Sequence, residues 1–266
     1  MVRKRRTSSQ QAAVVEALVP RYGAHFLRML LGELPPDART VLDVGCGTGH
    51  SSLKLLERLG PSARVIAIDQ DEGLIDLARQ RGWDEIGKHL FFKVESAAKL
   101  SFGEGVFDAV VGNLVYEHLE HPATALKEMR RVLAPNSPLL LSTQLRGSFV
   151  EAFDMLAEVA VARDDSALAA RVGAEVEVDP TAPILEDALR AAGFADVRIY
   201  EETFRLSFRT PAEIFQDRLI GLVALSRWRR AAGDDALLAD VQRSLEVYFA
   251  NGPLSLTVVA GAVVAR

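Results

Sequence analysis

The stretch Val41-Leu42-Asp43-Val44-Gly45-Cys46-Gly47-Thr48-Gly49 decides the fold of this chain. It begins as an apolar run that carries one aspartate, continues with three glycines at alternate positions, and leads into a helical pattern over residues 51–59. Glycine permits positive φ and, because it has no Cβ, lets a ligand lie directly on the backbone. The stretch therefore predicts a strand, a ligand-binding turn and a helix.

The glycine spacing and two acidic residues indicate what kind of ligand the turn binds. The spacing G-x-G-x-G argues against the G-x-G-x-x-G turn, in which a helix N-terminus binds the pyrophosphate of a dinucleotide. Asp43 precedes the first glycine and suits a cationic group. Asp69 ends a second predicted strand, 64–69, where a carboxylate can accept hydrogen bonds from both hydroxyls of a ribose. Together the two acids predict a nucleoside with a cationic tail.

Further segments follow in a fixed order along the chain. They are an F-D-A-V-V strand that begins at Phe107, an R-R-V-L-A-P helix end at 130–135 and an apolar strand at 139–143. With the glycine turn and Asp69, this series resembles the cofactor half of the class I S-adenosylmethionine-dependent methyltransferases over roughly residues 38–145, with weaker agreement at 184–200. Within that family the chain resembles the small-molecule enzymes of quinone and biotin biosynthesis.

Strands and helices alternate through this region, which predicts a parallel sheet covered by helices on both faces. With the resemblance, the expected fold is α/β: a Rossmann-like, doubly wound sheet of seven strands, mostly parallel with an antiparallel last strand, plus helical lid insertions. The resemblance also implies S-adenosyl-L-methionine as the cofactor.

The resemblance assigns the cofactor residues to the ends of predicted strands. The glycines would approach the methionine part, with Cys46 as a small residue beneath it, while Asp43 would attract the amino group and Asp69 would hold the ribose. Asp43 could instead cap the turn, and Asp69 could be a solvated loop acid. The full set is Asp43, Gly45, Cys46, Gly47, Gly49, Asp69, Gln70, Ser96, Ala97, Asn113 and Leu114.

The adenine contact is where this sequence departs from the family. Relatives commonly carry an aspartate in the segment before the fourth strand, and the aligned residue here is Ser96. Either Ser96 bonds the exocyclic amine of the adenine, or Glu95 has taken that role. Ala97 can offer its backbone N–H to the ring, and Gln70 can flank it.

The segment after the fourth predicted strand contains the candidates for acceptor chemistry. The backbone carbonyl of Asn113 could bind the cofactor amine, and Tyr116 is expected in the wall of the site. His118 is the candidate catalytic residue, as a general base near the methyl group or as a structural histidine. His121 is expected to be a surface cap.

Two other groups of residues have open alternatives. Tyr22 and His25 either close over the cofactor or pack within the N-terminal helices. The three arginines around Trp228 either receive an acidic substrate or form a solvated helix face.

Composition limits the partners. The net charge is −5, and the four cations between Arg3 and Arg6 leave about −9 for the rest, so nucleic acid is not an expected partner. The single cysteine, Cys46, excludes an internal disulfide and fits the cytoplasm. No apolar run reaches the length of a membrane span, so no membrane association is expected.

The predicted organisation is a disordered basic N-terminus at residues 1–9 and a single methyltransferase domain at 10–266. That domain begins with helices at 10–34, broken around Pro20, and carries lid insertions at about 148–180 and 210–250. Within the second insertion we expect an apolar helix at 212–225.

The predicted function is methyl transfer to an oxygen, nitrogen or carbon nucleophile of a small-molecule or carrier-bound acceptor. Two rivals remain open. One is a non-catalytic regulatory module that binds S-adenosylmethionine, and the other is a nicotinamide-linked oxidoreductase, which the glycine spacing disfavours.

Overall fold

The structure is a computed structural model that describes residues 18–249 and 253–266. The disordered basic end predicted at residues 1–9 lies outside the described residues, as does the start of the helical region predicted at 10–34.

Seven strands form one sheet in the order β3-β2-β1-β4-β5-β7-β6. The pairs among the first five strands are parallel, whereas β7 runs antiparallel to its neighbours β5 and β6. The predicted fold class is therefore confirmed. The strands are β1 (Thr40–Val44), β2 (Arg64–Asp69), β3 (Leu90–Val94), β4 (Ala109–Asn113), β5 (Leu139–Gln144), β6 (Val197–Phe208) and β7 (Leu254–Ala265).

Helices lie before β1 and between most of the first five strands, as the sequence pattern predicts, whereas the described residues 95–108, which join β3 to β4, form no helix. A π-helical turn at Val19–Gly23 leads into the first of them. The helices are α1 (Ala24–Glu33), α2 (His50–Leu59), α3 (Glu72–Arg81), α4 (Pro122–Val132), α5 (Val150–Ala162), α6 (Ser166–Val176), α7 (Ala182–Ala191), α8 (Pro211–Gln216), α9 (Arg218–Val223), α10 (Leu225–Ala232) and α11 (Asp235–Tyr248).

The chain divides into two compact units. The first contains the described residues up to 143 together with 182–201 and 261–266, and the second contains the described residues within 144–181 and 202–260. The single domain at 10–266 and the lid role of 148–180 and 210–250 stay predictions.

The core of the first unit lies along its parallel strands. Val41, Val65, Val111 and Leu140 are fully buried and belong to one hydrophobic cluster. Strands of a parallel sheet read as continuous apolar runs because helices cover both faces. This packing fixes the carboxyl ends of the strands, where the predicted cofactor residues lie.

One helix boundary differs from the prediction. Pro20 lies at the start of the π-helical turn, near the first described residue, and the break predicted around it stays a prediction. A proline is tolerated there because the first helical N–H groups have no intrahelical acceptor. The single helix predicted at 212–225 is wrong. Asp217 interrupts it by adopting an extended conformation and accepting hydrogen bonds from the N–H groups of Leu219 and Ile220.

Candidate active site

The three glycines of the turn all adopt positive φ, at 69°, 55° and 78° for Gly45, Gly47 and Gly49. A Cβ on Gly45 would lie 2.4 Å from Cγ2 of Val115, and one on Gly49 would lie 3.1 Å from Cβ of Ala78. A Cβ on Gly47 would meet no atom of the described residues within 4 Å. A side chain at position 45 would therefore clash and one at position 49 would be tightly packed, whereas Gly47 faces open space that a ligand can use.

Asp43 is completely buried at the end of β1. Its Oδ2 accepts hydrogen bonds from the hydroxyls of Ser51 and Ser52, at 2.7 and 2.6 Å, which ties the strand to the first turn of α2. Its Oδ1 is buried and has no hydrogen-bond partner among the described residues. A buried acceptor without a partner is costly, and here it suits the amino group of a ligand or an ordered water.

Burial raises the pKa of Asp43 from 3.8 to about 6. The two serine hydroxyls lower the pKa, and the nearby charge of Asp69 raises it further. Without a ligand, the Asp43 carboxyl is therefore protonated near pH 5 and ionised near pH 7. A cation bound beside it would keep it ionised at lower pH.

The carboxylate of Asp69 lies at the end of β2, and each of its oxygens is anchored by one backbone N–H. Gly47 donates to Oδ2 at 3.0 Å, and Asp71 donates to Oδ1 at 2.9 Å. Burial raises the pKa of Asp69, while these two bonds lower it. A carboxylate offers about four acceptor positions. Asp69 therefore retains room for two further hydroxyl donors.

The segment predicted to meet adenine begins beside Asp69, because the N–H of Glu95 donates to the carbonyl of Asp69 at 3.0 Å. The side chain of Glu95 is largely buried and forms an ion pair with Lys93 at 2.7 Å. It also accepts hydrogen bonds from the backbone N–H and the hydroxyl of Ser101. Ser96 is exposed, and its hydroxyl accepts a long hydrogen bond, at 3.3 Å, from the N–H of Ala98. The carboxylate of Glu95 is therefore already bound by Lys93 and Ser101, whereas the hydroxyl of Ser96 is accessible to a ligand.

The end of β4 contains a hydrogen-bonded group that the sequence did not reveal. Nδ2 of Asn113 donates to the carbonyl of Gly23 at 3.2 Å, and the hydroxyl of Ser142 donates to Oδ1 of Asn113 at 2.8 Å. Leu114 has a positive φ of 55°, and its N–H donates to Oγ of Ser142 at 3.1 Å. A bulky residue in this conformation is strained and is worth examining for function.

The candidates after β4 lie on a short 3-10 turn, Tyr116–His118. Tyr116 is half-buried, and burial raises the pKa of its hydroxyl. His118 is exposed, and it lies near enough to Asp69 for its charge to lower the pKa of that carboxyl. His121 occupies the N-cap position of α4 but makes no side-chain cap bond. The structure thus brings Asp69 and His118 into one neighbourhood.

Cys46 and Tyr22 are both buried in the first unit. Burial raises the pKa of the Cys46 thiol, which opposes thiolate formation. The ring of Tyr22 packs against Phe26, with 4.9 Å between the ring centroids, an arrangement typical of helix packing. Gln70, by contrast, is exposed beside Asp69.

The arginines near Trp228 belong to the second unit. Arg227 is only 8% exposed and binds Oδ2 of Asp179 at 2.6 Å, and Gln144 donates to the same oxygen at 2.8 Å. The prediction of a solvated helix face is wrong for Arg227, because this side chain neutralises a buried carboxylate. Arg230 binds Glu175 at 2.7 Å.

Over residues 18–249 and 253–266, the side chains of His, Cys, Asp and Glu form no group of three or more that could hold a metal ion. No helix in the described part of the chain is both long and apolar enough to cross a membrane.

Comparison with known proteins identifies the family of this chain. A methyltransferase domain matches residues 42–141. The chain is 31% identical over 218 residues to the malonyl-[acyl-carrier protein] O-methyltransferase of Methylococcus capsulatus, covering 81% of this chain and 73% of the relative. It is 29% identical over 261 residues to the nocamycin O-methyltransferase of Saccharothrix syringae, covering 88% and 89%. For three other curated relatives the matched part spans only 25% to 52% of their length.

The fold is also similar to that of a solved methyltransferase. The phosphoethanolamine N-methyltransferase 2 of Haemonchus contortus, in complex with S-adenosyl-L-methionine, superposes with a TM-score of 0.59 at 14% identity. The match covers 98% of this chain and 57% of that structure. From its sequence relatives and its fold, this chain belongs to the S-adenosylmethionine-dependent methyltransferases.

Proposed function

We propose that this chain transfers the methyl group of S-adenosylmethionine to an oxygen, nitrogen or carbon nucleophile of a small-molecule or carrier-bound acceptor. The observation that carries the proposal is the pairing of two acids at the ends of neighbouring strands. Asp69 is anchored by two backbone N–H groups and keeps two acceptor positions, while Asp43 has a buried Oδ1 without a partner in the described structure.

These acids fit the two polar ends of the cofactor. The remaining acceptor positions of Asp69 match the two hydroxyls of a ribose, and Oδ1 of Asp43 matches a cationic amino group, either directly or through a water. Gly47 would lie under the methionine part because space is open above it. The backbone carbonyl of Asn113 would accept from the same amino group.

The adenine would lie over residues 96–97. Ser96 is exposed and is the side chain that we assign to the exocyclic amine, with the backbone N–H of Ala97 toward the ring and Gln70 at its edge. Glu95 is the alternative, but its carboxylate already binds Lys93 and Ser101.

When bound, S-adenosylmethionine supplies a methyl group that is already activated by a sulfonium. The protein therefore has to bind both reactants, align them and exclude water, and such positioning supplies much of the acceleration. A base is needed only where the acceptor must lose a proton. His118 is the candidate for that role, because it is exposed on the turn that follows β4, and Tyr116 is the candidate for the wall of the site.

The names of the relatives support the class of acceptor. One is a malonyl-[acyl-carrier protein] O-methyltransferase, and another is a nocamycin O-methyltransferase. The net charge of −5 disfavours a polyanionic acceptor such as nucleic acid. We place the protein in the cytoplasm because it has a single cysteine, Cys46, at a buried position.

The test combines binding with turnover. Calorimetry should detect S-adenosylmethionine and S-adenosylhomocysteine but not NAD. Transfer of a labelled methyl group should then be followed with a panel of free carboxylic acids, phenols and amines, and with dicarboxylic and hydroxy acids bound to a carrier through one thioester. Binding of NAD in preference to both sulfur compounds would refute the cofactor assignment. Tight binding of S-adenosylmethionine without transfer to any acceptor would support the regulatory module instead.

A further inference from the structure

We propose that Asn113 is a positioning residue that fixes the N-terminal helical segment, residues 19–33, against the carboxyl end of β4. Through this contact it sets the shape of the cofactor site. The inference rests on the proposed function, since it concerns the same site, but the hydrogen bonds that carry it involve side chains with no assigned role.

The side-chain amide of Asn113 has a defined orientation. Its Oδ1 accepts from the hydroxyl of Ser142 at 2.8 Å, so its Nδ2 points the other way and donates to the carbonyl of Gly23 at 3.2 Å. The Ser142 hydroxyl is fully buried, which makes rotation of the amide costly. One side chain thus joins the end of β4, the end of β5 and a helix 90 positions earlier in the chain.

The contact point on the helical segment is the last residue of its π-helical turn. Gly23 is buried, and a Cβ there would lie 3.9 Å both from Nδ2 of Asn113 and from Cδ1 of Leu114. The helix therefore rests directly on the strand end. Tyr22, next to this contact, is 2% exposed and packs on Phe26, so the position of the helix determines where that ring lies.

The same hydroxyl also holds the next residue of the strand end. Leu114 is in the left-handed region, and its N–H is shared between the carbonyl and the Oγ of Ser142, each at 3.1 Å. Val115 follows with its methyl group over Gly45. The chain of contacts therefore runs from the helix, through Asn113 and Ser142, to the glycine turn that we assign to the cofactor.

The substitution Asn113→Asp separates the two bonds of the amide. Aspartate has the same shape and still accepts from Ser142, but it has no N–H for the carbonyl of Gly23. Asn113→Ala removes both bonds without adding a charge, and Ser142→Ala releases the amide from its fixed orientation. Asn136→Asp is the matched control, because Asn136 is exposed in a turn at a φ of 64°, a conformation that aspartate tolerates.

Two quantities are measured on the full chain: hydrogen exchange of residues 24–33 without ligand, and the dissociation constant of S-adenosylhomocysteine by calorimetry. Losing one such bond corresponds to about tenfold in an equilibrium. In both Asn113 variants we expect exchange of α1 to be about tenfold faster and binding about tenfold weaker. Ser142→Ala should act in the same direction with a smaller effect, and Asn136→Asp should match the parent. Circular dichroism confirms that each variant is folded under the assay conditions.

Parent-like exchange of α1 in both Asn113 variants would overturn the proposal, as would faster exchange with an unchanged dissociation constant. A parent that binds no S-adenosylhomocysteine would overturn the proposed function and the cofactor part of this inference. In that case, faster hydrogen exchange of α1 in the Asn113 variants would still support the part of the proposal in which Asn113 fixes the helix.

Discussion

The backbone N–H of Gly47 donates a hydrogen bond to Oδ2 of Asp69 at 3.0 Å. This bond joins the middle of the glycine turn to the acid at the end of the neighbouring strand. The N–H groups of Gly45 and Cys46 add two further bonds to the carbonyl of Ile68, at 2.8 and 3.0 Å. The turn and the carboxylate are therefore held in place before any ligand arrives, which reduces the entropy cost of binding.

Asp69→Ala should weaken binding of S-adenosylhomocysteine by roughly ten- to a hundred-fold, because hydrogen bonds to a charged group contribute about 1.5 to 3 kcal/mol. Asp69→Asn keeps the shape and one acceptor oxygen and should cause a smaller loss. Asp76→Ala is the control, since Asp76 is an exposed acid on α3 that pairs with Arg79. Calorimetry that gives equal dissociation constants for the parent and both Asp69 variants would place the ribose elsewhere.

Cofactor affinity should depend on pH through Asp43. A cationic amino group favours the ionised form of Asp43, whose pKa is about 6 without ligand. The affinity should therefore rise from pH 5 to pH 7, by up to about tenfold per pH unit below that pKa. Asp43→Asn should bind more weakly at pH 7 and have a flat profile over this range. Parallel profiles for the parent and the variant would show that Asp43 does not meet the amino group.

The same pKa predicts the stability of the ligand-free protein. Because folding raises the pKa of Asp43 from 3.8 to about 6, its contribution is fully present below pH 3.8 and is lost as the pH rises through 6. The full difference is about 3 kcal/mol. Denaturant unfolding of the parent at pH 5 and 7, compared with Asp43→Asn, should show the part of this loss that occurs above pH 5, about 1.4 kcal/mol. A difference between the two proteins that stays constant with pH would contradict it.

Alanine substitutions at Gly45 and Gly47 should affect protein stability and cofactor binding differently. Gly45→Ala places a methyl group 2.4 Å from Val115 at positive φ, so the free energy of unfolding should fall by roughly 2 to 4 kcal/mol. Gly47→Ala has strain but no clash, and should lose only about 1 kcal/mol of stability while cofactor binding weakens. The control is Gly32→Ala, in an exposed position of α1 with open space around it, which should be neutral or stabilising. Equal loss of stability at positions 45 and 47 would contradict this division.

The adenine assignment is tested by substitutions at residues 95 and 96. Ser96→Leu should weaken binding, whereas Ser96→Asp should preserve or improve it, since a carboxylate accepts the amine hydrogen bond more strongly than a hydroxyl. Glu95→Gln should have little effect on the dissociation constant, because Glu95 binds Lys93 and Ser101. The reverse pattern would transfer the adenine contact to Glu95.

Much of the fold could be predicted from the sequence because local pattern and tertiary structure agree. The strand predicted at 64–69 has those bounds, and the helical pattern over 51–59 lies within α2, His50–Leu59. The strand is a nearly continuous apolar run, and the helix repeats its leucines at helical spacing, so each pattern identifies its element locally. The break at Asp217 was missed because the apolar pattern continues through it, while one side-chain cap starts a new helix.

The candidate site could be predicted only in part. The glycines and the two acids are close in sequence to the strands that carry them, so their spacing identifies them. Asn113 and Ser142 meet Gly23 through the tertiary fold. No local sequence pattern predicts the hydrogen bond between Asn113 and Gly23, which are 90 positions apart. The burial of Arg227 was likewise missed, because a basic run looks like a solvated surface until its partner Asp179 is known.

The buried pair of Arg227 and Asp179 limits how the second unit can evolve. Replacing one member leaves an uncompensated charge inside the protein, which typically costs about 3 to 5 kcal/mol, whereas exchanging both for apolar residues can be neutral. Gln144, from a third segment of the chain, donates a hydrogen bond to the same oxygen of Asp179. The end of β5, the segment after α6 and helix α10 are thus expected to be inherited as a set. Among related sequences, we expect Gln144, Asp179 and Arg227 to be replaced together and not one at a time.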